Sequence, residues 1–211
     1  MPQGYAVIDK EGNYIVEPAY AKIKKDTDGY VVKNNDGYSY LDNHGESKWQ
    51  QTYEQATPFN EKHALVKSDG KYRIINQKGQ IIRSLSYDYV TSAGQGYWKY
   101  LQNDQWGILD AVGKVIKEPT FVDCYQFEEG FLVAAIGKDQ WGIVNENFEI
   151  TIPFKYPLLW SYKNGYARII SEGFIQVINQ QGQILPNIQE VELRDFYNGL
   201  ARFQKYPSFQ K

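Results

Sequence analysis

The stretch Gln105-Trp106-Gly107-Ile108-Leu109-Asp110 returns as Gln140-Trp141-Gly142-Ile143-Val144-Asn145. With the Trp-Gly pair as an anchor, the same slot occurs six times, at Tyr5, Tyr38, Tyr72, Trp106, Trp141 and Ile175. Successive anchors lie 33, 34, 34, 35 and 34 residues apart. Self-similarity at such a fixed period is the sequence signature of a repeat architecture, so we predict a single array over residues 1–211.

A turn follows each anchor. Four residues after the anchor stands an Asp or Asn in every copy: Asp9, Asp42, Asn76, Asp110, Asn145 and Asn179. Three residues further on, every copy except the fifth has Gly, and the fifth has Phe148. A short polar side chain bonds the nearby backbone and Gly supplies positive φ, so this pair predicts a hairpin turn.

The strand before this turn carries two adjacent apolar residues in nearly every copy, such as Ile143 and Val144. Neighbouring residues of a strand face opposite sides, so this strand is predicted to be buried on both faces. Further strands are predicted at Lys114 to Lys117, where Pro119 ends the strand, at Phe121 to Phe127 and at Phe131 to Ile136. No segment shows a sustained apolar stripe of helical period.

These elements predict an all-β fold of six tandem antiparallel β-meander repeats of about 34 residues. We prefer a closed, propeller-like ring, and the alternative is an open β-solenoid. The chain enters the pattern with the anchor strand at Tyr5 and leaves it with the strand Leu200 to Gln204. Pairing of these two strands would remove both exposed sheet edges.

Composition excludes several classes of function. The formal net charge is −2, with 23 basic and 25 acidic residues, so no bulk field favours nucleic acid. No run of about 18 apolar residues is present, so no membrane span is expected. The single cysteine excludes an internal disulfide, and Met1-Pro2-Gln3-Gly4 opens no signal segment. We therefore expect a cytoplasmic protein, and the alternative is an exported one whose signal segment is absent from this sequence.

The sequence predicts no catalytic residue, metal site or cofactor. His44 and His63 lie in different copies at non-equivalent slots, and both are interpreted as structural. Cys124 fills a column otherwise held by apolar residues, which is typical of a small buried hydrophobe and not of a nucleophile. No phosphate-binding loop, nucleophile elbow or dinucleotide fingerprint occurs.

Aromatic residues outside the anchor column are the best functional lead, because residues that depart from the repeat pattern give a repeat protein its specific binding surface. The candidate partner-binding residues are Trp49, Trp98, Tyr100, Trp160 and Tyr162. Exposed Trp and Tyr are typical anchors of protein interfaces. The alternative is that these rings fill core gaps left by small neighbours.

The fourth and fifth copies, with their Trp106-Gly107 and Trp141-Gly142 pairs, resemble the bacterial WG-repeat family, also called KWG repeats. The other copies keep the Asp or Asn or the glycines while departing at the Trp-Gly pair. This resemblance covers nearly the whole chain. It implies a β-repeat architecture without shared catalytic residues, and it suggests an immunity-type protein that neutralises a bacterial toxin by binding.

The predicted function is thus a non-catalytic protein-protein interaction module. A glycan- or cell-wall-binding module is the alternative, based on the aromatic excess of 18 Tyr, 10 Phe and 5 Trp. A third reading, an enzyme with its site at the mouth of a ring, rests on fold alone and needs a cluster of titratable residues that the sequence does not offer.

Overall fold

The computed structural model describes residues 4–60, 62–186, 192–194, 200 and 202–204. Every regular element among them is a β-strand, and all strand pairs with a defined register are antiparallel. This confirms the predicted all-β fold. The described part of the chain contains no helix long and apolar enough to cross a membrane. The predicted strand from Leu200 to Gln204 falls partly outside the described residues.

The strands alternate with short turns along the chain. They are β1 Tyr5–Ile8, β2 Tyr14–Tyr20, β3 Lys22–Asp26, β4 Gly29–Asn34, β5 Gly37–Leu41, β6 Gln55–Ala56, β7 His63–Ser68, β8 Lys71–Asn76, β9 Ile81–Leu85, β10 Tyr89–Gly94, β11 Tyr97–Gln102, β12 Gln105–Leu109, β13 Val115–Phe121, β14 Asp123–Glu128, β15 Phe131–Ala135, β16 Trp141–Asn145, β17 Ile150–Tyr156, β18 Tyr166–Ser171, β19 Phe174–Asn179, β20 Glu192–Leu193 and β21 Phe203–Gln204.

The chain divides into two compact units. Unit 1 comprises residues 1–92 and 109–114, and unit 2 comprises residues 93–108 and 115–211. Unit 1 contains the sheets β1-β2, β3-β4-β5 and β6-β7-β8-β9. Unit 2 contains the sheets β14-β15-β16-β17, β18-β19 and β20-β21. The remaining sheet, β10-β11-β12-β13, has residues of both units.

Each four-stranded sheet combines halves of two successive sequence copies. In unit 2, β14 and β15 come from the fourth copy, whereas β16 and β17 come from the fifth. The register places Ala135 of β15 opposite the anchor Trp141 of β16. Because each four-stranded sheet needs strands from two copies, no single copy completes such a sheet in the described part of the chain.

In each four-stranded sheet the anchor strand lies between two other strands, and its two adjacent apolar residues are buried as predicted. Ile143 and Val144 are 0% and 2% exposed, and the corresponding pairs of β8, β12 and β19 are equally buried. The first copy departs from this pattern, since Ile8 is 58% exposed. β1 has a single hydrogen-bonded neighbour among the described strands, β2.

The prediction that prolines end the second strand of each copy is wrong. β2 runs through Pro18, β13 through Pro119 and β17 through Pro153. Each of these strands is the last in the order of its sheet. An edge strand tolerates proline because one of its sides needs no ladder hydrogen bond from the missing N–H.

The turn after the anchor strand has the predicted chemistry. The Oδ1 atom of Asp42 accepts hydrogen bonds from the amides of His44 at 2.8 Å and Glu46 at 3.0 Å. Asn145 accepts from the amides of Asn147 and Glu149 in the same way. In the fifth copy Phe148 adopts a φ of 61°, close to the 80° of Gly113 in the fourth copy.

The glycine of the Trp-Gly pair is required by close packing and not by its own backbone angle. A Cβ atom at Gly107 would lie 2.5 Å from atoms of the Tyr100 ring. A Cβ atom at Gly142 would lie 2.8 Å from the Phe154 ring and 2.7 Å from the carbonyl oxygen of Ile152. All three distances are shorter than a Cβ atom tolerates, and in both copies an aromatic ring lies directly over the backbone at this slot.

Candidate functional site

Three of the five predicted partner-binding aromatics lie in the core. Trp98, Tyr100 and Tyr162 are each 1% exposed. Trp98 occupies an inward-facing column whose other members, Val31 and Ala64 among them, are buried too. This burial favours the alternative stated from the sequence, that such rings fill core gaps, and it leaves these three side chains no surface for direct contact.

The hydroxyl of Tyr162 also has an internal partner. It donates a hydrogen bond to the carbonyl oxygen of Asn179 at 3.2 Å. Burial raises the pKa of Tyr162 to about 12, and the charge of Glu129 acts in the same direction. This phenol therefore stays protonated at neutral pH and connects the segment before β18 to the end of β19.

The other two predicted aromatics, Trp49 and Trp160, are half-buried. The indole of Trp49 lies on the turn at Gly79 and 5.2 Å from the ring of Tyr40, between centroids. The guanidinium of Arg168 lies 4.6 Å from the ring centroid of Trp160. Each indole thus packs against a neighbour within its own unit with part of its surface, and the rest of its surface is exposed to solvent. The assignment of these two residues to a partner stays a prediction.

The residues considered for catalysis have structural surroundings. Cys124 is 2% exposed, and burial raises the pKa of its thiol to about 11, so the reactive thiolate is scarce at neutral pH. The amide of His44 donates to the turn residue Asp42, and His63 lies in β7 opposite Asn76. Within the described ranges, no group of three or more His, Cys, Asp or Glu side chains is arranged to hold a metal ion.

A feature that the sequence analysis missed lies in unit 1. In β4 and β5 Lys33 stands opposite the anchor Tyr38, and in β7 and β8 Lys67 stands opposite the anchor Tyr72. We call these four residues the Lys-Tyr ladder. The corresponding pairs in unit 2 include Ala135 with Trp141 and Ile170 with Ile175. Two neighbouring sheets thus replace an apolar pair by a cation and a phenol.

Each ammonium group of the ladder lies over the ring that it faces. The Nζ atom of Lys33 is 5.4 Å from the centroid of Tyr38, and that of Lys67 is 5.0 Å from the centroid of Tyr72. Both lysines are half-buried. Neither forms an ion pair with any carboxylate in the residues described. The aromatic faces stabilise the two cations but do not neutralise them.

The ladder borders a cavity of about 350 Å³ within unit 1, which we call the ladder cleft. Its lining includes Lys33, Tyr38, Glu54, Thr57, Tyr72 and Tyr89. A volume of this order lies at the lower end of the range typical of ligand sites. Three phenol rings and several polar groups therefore converge on one concave surface.

The tyrosines of the cleft differ in exposure. Tyr72 is buried, whereas Tyr89 is 46% exposed, and the two rings meet edge to face with centroids 6.3 Å apart. Burial raises the pKa of Tyr72, and the neighbouring Tyr89 raises it further. Tyr72 therefore forms the floor of the cleft and Tyr89 its accessible wall.

One carboxylate also borders the cleft. Glu54 is exposed, and its Oε1 atom accepts a hydrogen bond from the amide of Gly70 at 2.9 Å. It lies beyond ion-pair distance of both ladder lysines. Among the lining residues Lys33 is the cation and Glu54 the carboxylate, and Lys67 lies next to the lining through its contact with Tyr72. The cleft is therefore basic at the Lys33 side and acidic at the Glu54 side.

The sequence does contain a signal for the ladder. In both copies a lysine stands five residues before the anchor tyrosine, as Lys33 before Tyr38 and Lys67 before Tyr72. In the sequence Lys67, Lys71 and Arg73 lie close together, a pattern that by itself indicates only a solvated basic surface. The missing step was the strand register, since the facing of Lys and Tyr follows from the two-residue turn between the strands.

Comparison with known proteins agrees with the repeat pattern. The family model described as WG containing repeat matches residues 5–38, 38–72, 106–139 and 141–174, which together cover more than half of the chain. These segments begin at four of the six anchors identified from the sequence. No curated protein shows significant sequence similarity to this chain.

Solved structures share the fold at low sequence identity. Kluyveromyces lactis Hsv2 with its complete loop 6CD has a TM-score of 0.53 and 11% identity over 85% of this chain and 68% of its own. Hsv2 with loop 6CD replaced by a Gly-Ser linker has a TM-score of 0.50 and 15% identity over 79% of this chain. This chain spans 64% of the length of that structure. BamB from Moraxella catarrhalis has a TM-score of 0.44 and 17% identity over 92% of this chain and 70% of its own.

The Hsv2 structures are β-propellers, so the fold of this chain is propeller-like. Identities of 11% and 15% make this a statement about the fold alone. The pairing of the first and last strands into a closed ring stays a prediction.

Proposed function

Because the chain belongs to the WG-containing repeat family, we propose that it is a non-catalytic binding module that holds a partner protein in the ladder cleft. The observation that carries this proposal is the convergence of Lys33, Tyr38, Tyr72 and Tyr89 on one cavity. Tyrosine is enriched at protein interfaces because it offers a large, amphipathic contact area. A rigid sheet scaffold beneath such a cleft adds the preorganisation that recognition needs.

The chemistry of the described side chains supports binding over catalysis. The buried thiol of Cys124 has a raised pKa, and the phenol of Tyr72 has a raised pKa too. A general base needs a pKa near the working pH, and a nucleophile needs an adjacent base. The groups that border the cleft supply a cation, aromatic surface and hydrogen bonds, which are the requirements of recognition.

A protein that neutralises a bacterial toxin by binding is the specific form of this proposal. The resemblance to WG-repeat proteins suggests that setting. A binding cleft suits this role, because such a protein needs only to bind the toxin in order to block it. Such a protein would act in the compartment where the toxin acts, and we propose the cytoplasm. Coexpression in a toxin-producing strain tests this form, with cell survival as the readout.

A glycan-binding module is the second candidate, because the exposed ring of Tyr89 offers a face on which a sugar can stack. The ladder argues against it, since a lysine already covers one face of Tyr38 and of Tyr72. Glycan arrays probed with the whole chain distinguish the two candidates.

The test of the proposed function is affinity capture from the native host with three baits: the wild type, Tyr89→Ala and Tyr14→Ala. Tyr14 is a matched control because it is an exposed tyrosine of unit 1 in a different sheet. We expect one protein that the wild type and Tyr14→Ala retain and that Tyr89→Ala loses, with affinity reduced about tenfold or more. Equal retention by all three baits would place the binding site elsewhere.

A further inference from the structure

We infer that the ladder cleft selects an acidic segment of the partner, with an Asp or Glu side chain placed at Lys33. This inference rests on the proposed function and names the chemistry of its ligand. It depends on the charges, the burial and the register of the ladder.

The first argument is the state of the two lysines. Lys33 and Lys67 are half-buried, and neither has an ion pair in the ranges that the structure describes. The ring beneath each ammonium replaces part of its hydration, so a carboxylate that reaches it forms a charge-assisted hydrogen bond in a partly desolvated site. The stacked ring orients each ammonium without consuming its N–H donors.

The second argument is the placement of the charges. Lys33 borders the cavity itself, whereas Lys67 stacks on Tyr72, which also lines it. The two lysines occupy equivalent positions in adjacent sheets, each directly opposite its anchor tyrosine. Lys33 thus places one positive charge in the wall of the cleft, and Lys67 places a second one behind the lining residue Tyr72. A segment that fills the cleft can present a carboxylate to Lys33 while its other side chains contact the tyrosines.

The third argument concerns Glu54, the carboxylate of the rim. It repels an acidic ligand from its own side of the cleft, and its hydrogen bond from the Gly70 amide fixes it there. The ligand carboxylate is thus directed to the Lys33 side, and the apolar part of the segment lies along Tyr89. Attraction at one wall and repulsion at the other define one orientation of the segment.

The test uses a displayed library of random seven-residue peptides, selected against the whole chain in three forms: wild type, Lys33→Glu and Lys78→Glu. Lys78 is a matched control because it is an exposed turn lysine of unit 1 outside the cleft. We expect Asp and Glu to be enriched in peptides selected by the wild type and by Lys78→Glu. We expect Lys33→Glu to select basic residues instead.

Individual acidic peptides from the wild-type selection should bind the variant Lys33→Met about tenfold or more weakly, since the charge-assisted bond is lost. Peptides without acidic enrichment that still lose binding with Tyr89→Ala would overturn the inference while leaving the proposed function in place. Equal enrichment of Asp and Glu in the peptides selected by the wild type and by Lys33→Glu would also overturn the inference. Selection of no peptide by any form would count against both the inference and the proposed function.

Discussion

At the scale of single residues, the ring of Tyr100 limits the size of the residue at position 107, the glycine of the Trp-Gly pair. Tyr100 lies so close to Gly107 that a methyl group there meets its ring, whereas in the third copy Arg73 occupies the same slot opposite the smaller Val66. In the fourth copy the ring of Tyr100 therefore restricts the slot to glycine.

We predict that Gly107→Ala destabilises the fold by about 1–3 kcal/mol, because the added methyl group overpacks the slot. In a Tyr100→Val background, the same change should cost less, since the covering ring is gone. A double-mutant cycle measured by urea unfolding checks this. Equal costs in the two backgrounds would contradict the account of the Trp-Gly glycine.

Asp26 is a buried carboxylate in a column where later copies have Phe59, Phe127 and Tyr162. Its Oδ1 atom accepts hydrogen bonds from the amides of Thr27 at 2.7 Å and Phe59 at 2.8 Å. The second bond joins the first copy to the next one, so the side chain connects successive copies.

We predict that Asp26→Ala costs about 1–3 kcal/mol, because the buried Phe59 amide loses its acceptor. Asp26→Asn keeps an acceptor oxygen at the same place and should cost less. Chemical denaturation of both variants gives the order. A loss with Asn as large as that with Ala would show that charge, not the acceptor, is what the site needs.

At the scale of the element, the turn after each anchor strand depends on one side-chain oxygen. The hydrogen bond from the Glu46 amide, followed by that from His44, lowers the pKa of Asp42. A depressed pKa means that the turn is stabilised above the pKa of the unfolded chain. That stabilisation is lost as the pH falls through the folded pKa.

Asp42→Asn should remove this acid dependence while keeping the turn, since the third, fifth and sixth copies use Asn at this position. Asp42→Ala should destabilise the chain at neutral pH, because the amides of His44 and Glu46 lose their acceptor. Unfolding curves collected between neutral and strongly acidic pH check both outcomes. An Asn variant that retains the full acid dependence of the wild type would assign that dependence to other carboxylates.

The sequence predicted these elements because their chemistry is local. The Asp or Asn, the turn Gly and the paired apolar residues act within a few positions of each other, so one copy shows what all copies do. The continuation of β13 through Pro119 was not predictable in this way, because it depends on which strand ends the sheet. The burial of Trp98 and the facing of Lys33 and Tyr38 depend in the same manner on packing and register.

At the scale of the whole molecule, the positive charge of Lys33 and Lys67 contrasts with the slightly negative charge of the whole chain. The chain has a net charge of −2, so it provides no long-range attraction for an acidic partner. Any electrostatic contribution to binding is therefore local to Lys33 and Lys67.

We predict that raising the ionic strength from about 0.05 M to about 0.5 M weakens binding of the partner, and that Lys33→Met reduces this salt dependence. Dissociation constants measured at a series of salt concentrations give the slopes for the two proteins. Parallel slopes would mean that Lys33 does not face the charge of the partner.

The central claim is that the partner occupies the ladder cleft. A photo-crosslinking phenylalanine analogue placed at position 89, and in a second protein at position 14, tests it most directly in the presence of the captured partner. Both positions hold exposed tyrosines of unit 1, and only position 89 borders the cleft. We predict a covalent adduct from position 89 and none from position 14. An adduct from position 14 alone, or equal yields from the two positions, would contradict the claim.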